Sequence, residues 1–249
     1  MSRRAHDVLA AVDTVAGYNT YIDLIRPLIA GKRIIRTAMT REVERVAAAI
    51  DTALQGSACA LVSSGDPGIY AMAGLAFEMC REKRIAVASP MCNKTDRTEP
   101  SRLTIEVVPG IPALSAGAAL LGAPLTHDFA AISLSDLLTP WEAIARRIEA
   151  AAAADFVVVI YNPRSRRRKD QLARARQILL KHRNARTPVG IVSRAYRDGQ
   201  DVRIVALEDL HTAEVDMQTT VFVGSSSSFQ YLDYMVTPRG YAGKYDIKR

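Results

Sequence analysis

Two periods of apolar positions alternate along this chain, a helical one and a strand-like one. Val8, Leu9 and Val12 sit at helical spacing, so residues 3–12 read as an amphipathic helix. Residues 13–17 read as a short strand and residues 18–29 as helix. Thr40 is placed to cap a helix whose apolar face is Val43, Val46, Ala47, Ile50 and Leu54. The run Ala58 to Val62 predicts a buried strand, and a helical pattern starts at Ile69 with Met72, Ala73, Ala76, Phe77 and Cys80. Residues 85–88 form a weak strand pattern, residues 90–102 a loop, and residues 103–108 a strand leading to a helix over 113–121.

Gly122-Ala123-Pro124 punctuates the chain, which places a domain boundary there, between residues 1–124 and 125–249. The second half predicts strands over 130–134, 156–161, 189–193, 202–206 and 219–223. Helices are expected from Thr139-Pro140 to about Ala153, over a basic stretch from about Arg166 to His182, and briefly near Glu208–His211. The continuous run Phe156 to Tyr161 has the composition of a strand covered on both faces. Strands alternating with helices in both halves argue for an α/β fold.

Lys and Arg total 33 against 26 Asp and Glu, a formal charge of +7 that favours an anionic partner. Aromatic residues make up 6% of the chain, few for the stacking platforms of a single-strand binder. Of the three cysteines, Cys59 and Cys80 lie on apolar patterns and read as buried thiols, and Cys92 completes neither a CxxC pair nor a zinc site. The sequon Asn93-Lys94-Thr95 reads as chance. Ser2-Arg3-Arg4 is followed by Asp7 and Asp13 rather than by an uninterrupted apolar run, so a cytoplasmic protein that neither spans nor binds membrane is expected.

Three turns follow apolar strands and could carry chemistry. In the first, Gly65-Asp66-Pro67-Gly68, Asp66 is placed to cap the next helix and Pro67 to fit its first turn; open α/β sheets bind ligands at such turns. A capped connection without a ligand is the alternative. The second, Pro109-Gly110-Ile111-Pro112, precedes a helix of small residues (Ala113, Ser115, Ala116, Gly117, Ala118, Ala119) suited to close packing on a sheet or to a ligand. The third, Tyr161-Asn162-Pro163, leads into Arg164, Arg166, Arg167, Arg168 and Lys169. Cations at a helix start oppose its dipole, which points to an anionic ligand; a solvated charged face is the alternative. A fourth segment, Val221 to Ser228, runs from a strand into a Gly/Ser turn. The chain contains no GxGxxG, GxxxxGK[ST] or GxSxG motif.

In order, these segments resemble the tetrapyrrole methylases, enzymes of corrinoid and sirohaem synthesis that use S-adenosylmethionine. The resemblance runs through Gly17–Tyr21, Gly65–Tyr70, Val108–Ile111, Gly122–Phe129, Ser133–Trp141, Tyr161–Ser165 and Met235–Tyr241. It is closest to the branch that methylates carbon 17 of precorrin-3B as the macrocycle contracts to precorrin-4. The resemblance implies two α/β domains, each a mixed sheet flanked by helices, a cofactor in the cleft between them, and a homodimer. It places S-adenosylmethionine, released as S-adenosylhomocysteine, against Gly65, Asp66, Pro67, Ile69, Tyr70, Pro109, Gly110, Leu134, Tyr161, Arg194 and Ala195. Arg164, Arg166 and Arg239 would face the carboxylates of the tetrapyrrole. Asp66, His127 and Asp128 are the candidates for acid/base work in ring contraction, with a structural role the alternative for His127. No metal is required. The family opens with a strand and a glycine-proline loop, whereas Met1 here stands almost at the helix that follows them. Alternative readings are a counterpart acting on the cobalt-bearing substrate, an RNA methyltransferase, and a shortened homologue that binds tetrapyrrole without catalysis.

Overall fold

The computed structural model describes residues 1–90 and 103–247. Cys92, the sequon Asn93-Lys94-Thr95 and most of the 90–102 loop lie outside the described residues. The chain divides into two compact units, residues 1–112 and 113–249.

In unit 1, α1 (Arg3–Ala11) is capped by Ser2, whose Oγ accepts from the Ala5 N–H. Then follow β1 (Thr14–Tyr18), α2 (Asn19–Leu24), β2 (Arg33–Thr37), α3 (Glu42–Leu54), β3 (Cys59–Val62), α4 (Met72–Glu82), β4 (Val87–Ala88) and β5 (Leu103–Thr104). Strands β2, β1 and β3 form a parallel sheet with β1 in the centre, and β4 pairs with β5 in a second parallel pair. Leu9, Val15, Ile22 and Ile29 form one apolar cluster; Val46, Ile50, Cys80 and Leu103 form another. The helix expected to reach residue 29 stops at Leu24 and continues as a 3-10 turn over Arg26–Leu28, because Pro27 has no N–H to donate.

Helix α3 differs from expectation at both its cap and its face. Thr40 has φ +67° and lies outside the helix, and its N–H donates to Glu42 Oε1. The buried side is Arg45, Val46, Ala49 and Ile50, while Val43 is exposed. Arg45 is buried because its guanidinium is paired: Nε donates to Thr37 Oγ1 at 2.6 Å and Nη2 to Ala38 O at 3.0 Å.

Unit 2 comprises α5 (Ala113–Leu121), β6 (Gly122–Ala123), β7 (Phe129–Ser133), α6 (Trp141–Ala153), β8 (Val157–Tyr161), α7 (Gln171–Leu179), β9 (Pro188–Ser193), β10 (Asp201–Ala206), β11 (Thr219–Val223), β12 (Phe229–Tyr231), β13 (Tyr234–Val236) and α8 (Tyr241–Lys244). Its main sheet is mixed, in the order β10-β9-β11-β8-β7: β7 and β8 are parallel, and β11 is antiparallel to both β8 and β9. A smaller sheet joins the β12–β13 hairpin, which the sequence reading did not anticipate, to β6. The β-branched run expected to be covered on both faces is β8, with Val157 to Ile160 wholly buried.

Sequence punctuation placed the domain division after Pro124, but the compact units divide after Pro112. The cause is α5, whose small residues let it lie directly on the main sheet of unit 2. A Cβ on Gly117 would stand 2.7 Å from the Phe222 ring, and one on Gly190 of β9 would stand 2.3 Å from Leu121 Cδ1. The packing reading of the small-residue helix therefore accounts for Gly117.

At the other end of this sheet, Arg183 is buried beneath Asp155. Its guanidinium donates to the carbonyls of Ala152, Phe156 and Gly224 and pairs with Asp155 at 3.1 Å. Burial raises the Asp155 pKa, but hydrogen bonds from Ser226 and the Arg183 charge outweigh it, and the net shift is downward.

Two outcomes follow. Gly190→Ala forces Leu121, fully buried, out of its position, and the urea midpoint should fall by the equivalent of about 1–3 kcal/mol with an unchanged m-value. Burial pushes the Cys59 thiol up to about 11, so peptide mapping after alkylation at pH 8 should show Cys59 reacting roughly a hundredfold more slowly than it does in urea.

Candidate active site

In unit 1 the site candidates gather where β3 and the segment after β5 end. Asp66 joins the two turns: its Oδ1 accepts from the Gly68 N–H at 2.8 Å and its Oδ2 from the Gly110 N–H at 2.9 Å. The turns touch, since a Cβ on Gly110 would stand 1.9 Å from the Gly65 carbonyl oxygen. Only glycine allows this approach. Pro109 is fixed from another side, where Ser2 Oγ donates to its carbonyl at 2.8 Å.

This geometry corrects the expected role of Asp66 as a helix cap. Helix α4 starts at Met72, not Ile69, and its N-cap Ala71 offers no side chain. Residues 66–69 close a turn instead, with the Ile69 N–H on Asp66 O, and the chain passes through Tyr70 at φ +52°. Tyr70 is 52% exposed, and Gly65 and Gly68 are exposed as well.

In unit 2 the strand directions bring four loops to one end of the main sheet. The carboxyl ends of β7, β8 and β9 meet there with the amino end of β11. Leu134, Tyr161, Arg194 and Ala195 all lie at this end. Leu134 extends the ladder, its N–H on Tyr161 O at 2.9 Å, but its side chain is buried and presents only backbone. Tyr161 Oη accepts from the Leu114 N–H at 2.9 Å, which satisfies one of the open donors at the start of α5. Arg194 has φ +50°, and its Nη2 pairs with Asp216 at 3.0 Å.

The basic stretch is not helical where expected. Residues 162–170 form a loop and α7 begins at Gln171, so the arginines precede the helix rather than form its first turn. Arg168 holds the loop. It is 7% exposed, and its Nη2 donates to Asn162 O at 3.1 Å and to Met217 Sδ at 3.5 Å. Its Nη1 stands 3.8 Å from Asp136 Oδ1, and its Nε is buried with no partner among the described residues. Asn162, at φ +53°, donates from Nδ2 to Ser133 Oγ at 2.9 Å and so ties the β8 loop to the end of β7. Arg164, Arg166 and Arg167 are exposed.

Four of the eight non-glycine residues with positive φ among the described residues (Tyr70, Asn162, Arg194 and Tyr196) belong to these strand-end loops. Each such conformation costs about 1–3 kcal/mol and persists only where its surroundings impose it.

Three candidates are not brought to this end. His127 and Asp128 precede β7, while Leu134 follows it. Five strand residues separate them, on the order of 17 Å. His127 Nδ1 accepts from the Asp128 N–H at 2.8 Å, a local turn contact. Arg239 reaches the Thr126 carbonyl at 3.5 Å and therefore stands beside His127, away from Arg164 and Arg166. Sequence reasoning also missed the bracing residues Ser133, Asn162 and Arg168 as a set. The signal available was an Asn-Pro directly after a buried strand, beside a neighbouring strand ending in serine.

The Gly-Asp-Pro-Gly turn and the Pro-Gly turn are among the segments in which the sequence resembles one family of methyltransferases. The profile of the Tetrapyrrole (Corrin/Porphyrin) Methylases matches residues 1–211, and the chain belongs to that family. It is 47% identical over 249 residues to a cobalt-factor III methyltransferase of Priestia megaterium, covering all of this chain and 44% of that protein. It is 44% identical over 241 residues to a probable cobalt-factor III C(17)-methyltransferase of Salmonella typhimurium, covering 97% of this chain and 93% of that one. The chain thus spans less than half of the Priestia protein and nearly all of the Salmonella one. The crystal structure of the methyltransferase CobJ superposes with a TM-score of 0.81 at 33% identity, covering 96% of this chain and 93% of that one.

Asp66→Ala leaves two backbone donors without their acceptor and should lower the unfolding free energy by about 1–3 kcal/mol in urea titration. Asp66→Asn, which keeps one acceptor oxygen, should fall between the variant and the parent.

Proposed function

We propose that the protein transfers a methyl group from S-adenosylmethionine to carbon 17 of a corrin precursor, with contraction of the macrocycle, in cobalamin synthesis. The observation that carries the reading is the extent of similarity to C(17)-methyltransferases, from end to end of this chain, combined with the braced Asp66 turn. Precorrin-3B and its cobalt-bearing counterpart are the two candidate substrates. The names of the relatives favour the cobalt-bearing one.

When bound, S-adenosylmethionine supplies an electrophilic methyl group on a positively charged sulfur. The residues fit such a group. Both Asp66 oxygens are engaged by backbone N–H groups, so the turn offers peptide groups rather than a free carboxylate. S-adenosylmethionine would supply the methyl group and leave as the neutral thioether, the acceptor carbon providing the electron pair of the new carbon–carbon bond, so positive charge would leave the sulfur. A carboxylate tight against the sulfur would favour the ground state over the transition state. In unit 1 the residues that would hold the cofactor are Gly65, Pro67, Ile69, Tyr70, Pro109 and Gly110; the corresponding candidates within unit 2 are Leu134 through its backbone, Tyr161, Arg194 and Ala195. Their contribution is orientation: a methyl group in line with its acceptor gains most of its rate from position.

Asp66 acts as a positioning residue, and His127 and Asp128, at the far end of β7, take no part in proton transfer. Arg164 and Arg166 face the carboxylates of the substrate, and Arg239 does not share that neighbourhood. The protein works as a homodimer in the cytoplasm.

The test is incubation with methyl-labelled S-adenosylmethionine and either cobalt-factor III or precorrin-3B, with mass readout of the product. One added labelled methyl on the cobalt-bearing substrate is expected; failure to label either substrate overturns the assignment. In calorimetry, Asp66→Ala should bind S-adenosylmethionine about tenfold more weakly, equivalent to about 1.4 kcal/mol.

A further inference from the structure

The loop after β7 leaves its apolar residues in solvent and engages its polar one. Asp136, itself exposed, accepts at Oδ2 from Gln171 Nε2 at 2.6 Å, and its Oδ1 faces the buried Arg168. The next two residues, Leu137 and Leu138, are 76% and 93% exposed. The loop is anchored on both sides of them. Ser135 N–H donates to Ser133 Oγ at 3.1 Å, and Pro140 carries the first backbone bonds of α6. Two leucines thus stand in solvent on a braced loop, at the sheet end where the site candidates lie.

The neighbouring loop repeats the arrangement with charge. Arg168 is buried and engaged, while Arg164, Arg166 and Arg167 are exposed and make no ion pair with any described residue. The two loops leave adjacent parallel strands in register, Ser133 opposite Tyr161. Arg168 and the Asn162–Ser133 bond connect them. Exposed carbon and unpaired cations are therefore held side by side by a bracing set of polar groups centred on the buried Arg168.

We propose that Leu137 and Leu138, with Arg164, Arg166 and Arg167, form a substrate-binding strip on unit 2. The leucines take the flat face of a macrocycle and the arginines its carboxylate rim. The strip rests on the tetrapyrrole reading given above and adds the residues that recognise the ring. Charge complementarity selects this occupant: a polycarboxylate ring offers both an apolar face and several anions. A second copy meeting the strip about a twofold axis would set its arginines against their own kind, which is unfavourable. Arg168 is the positioning residue of the strip.

The experiment titrates the tetrapyrrole itself, cobalt-factor III, by absorbance against the full chain, so the result does not depend on turnover. Leu137→Ser/Leu138→Ser should weaken tetrapyrrole binding by about tenfold or more. S-adenosylmethionine affinity in calorimetry and mass in light scattering should be unchanged. Leu137→Met/Leu138→Met should restore binding. Arg164→Gln/Arg166→Gln should weaken binding and flatten its dependence on salt. Arg168→Lys should weaken tetrapyrrole binding while leaving S-adenosylmethionine affinity at the parent value. If the serine variant binds the ring like the parent, or changes only the mass of the assembly, the strip is overturned while the methyltransferase reading stands. If the parent chain neither binds nor methylates the ring, the functional reading fails and the strip falls with it.

Discussion

A carboxylate that accepts two backbone N–H groups joins the two candidate turns of unit 1. Asp66 holds its own turn through Gly68 and the neighbouring turn through Gly110, and the contact requires glycine where the second turn meets Gly65. Without that bond, two loops carrying exposed peptide groups would lose their mutual register. The strained conformation at Tyr70 would also lose the surroundings that impose it. The chemistry attributed to this region depends on peptide geometry, and peptide geometry here depends on one side chain.

Unit 2 solves the same problem with other groups. Tyr161 uses its hydroxyl on the start of α5, Ser133 and Asn162 join the ends of β7 and β8, and Arg168 closes the following loop onto Asp136. In each case the polar residue that looks most chemical is engaged by the fold. Beside these engaged groups stand exposed ones: Tyr70 and the glycines in unit 1, the leucine pair and three arginines in unit 2. Strand ends supply the positions, and hydrogen-bonded polar side chains transmit them to the loops.

Periodicity made the regular elements legible. The strand Val157–Tyr161 and the helix Trp141–Ala153 match their patterns closely, because burial on one or both faces is written into adjacent residues. The helices expected from Ile69 and Arg166 begin later, at Met72 and Gln171, since their first turns are replaced by loops tied to distant partners. Such bonds, Asp66 to Gly110 or Arg168 to Asp136, have no local signature. Arg45 is invisible for the same reason: a cation on a helix reads as solvated until Thr37 and Ala38 are known to receive it. The domain division moved to Pro112 because a helix of small residues does not announce which sheet it will lie on.

The candidate acid/base pair shows what chain order adds. His127 and Asp128 are separated from Leu134 because they precede β7 and it follows the strand. In a sheet whose loops at one end come from parallel strands, the residue before a five-residue strand and the residue after it lie on the order of 17 Å apart. The same topology explains why Leu134, Tyr161 and Arg194 converge although they are far apart in sequence: β7, β8 and β9 run in one direction and β11 returns between the last two. Strand direction, more than residue type, decides which polar side chains are available to the site. On that criterion the arginines after Pro163 share a neighbourhood with Leu137 and Leu138, and Arg239 does not.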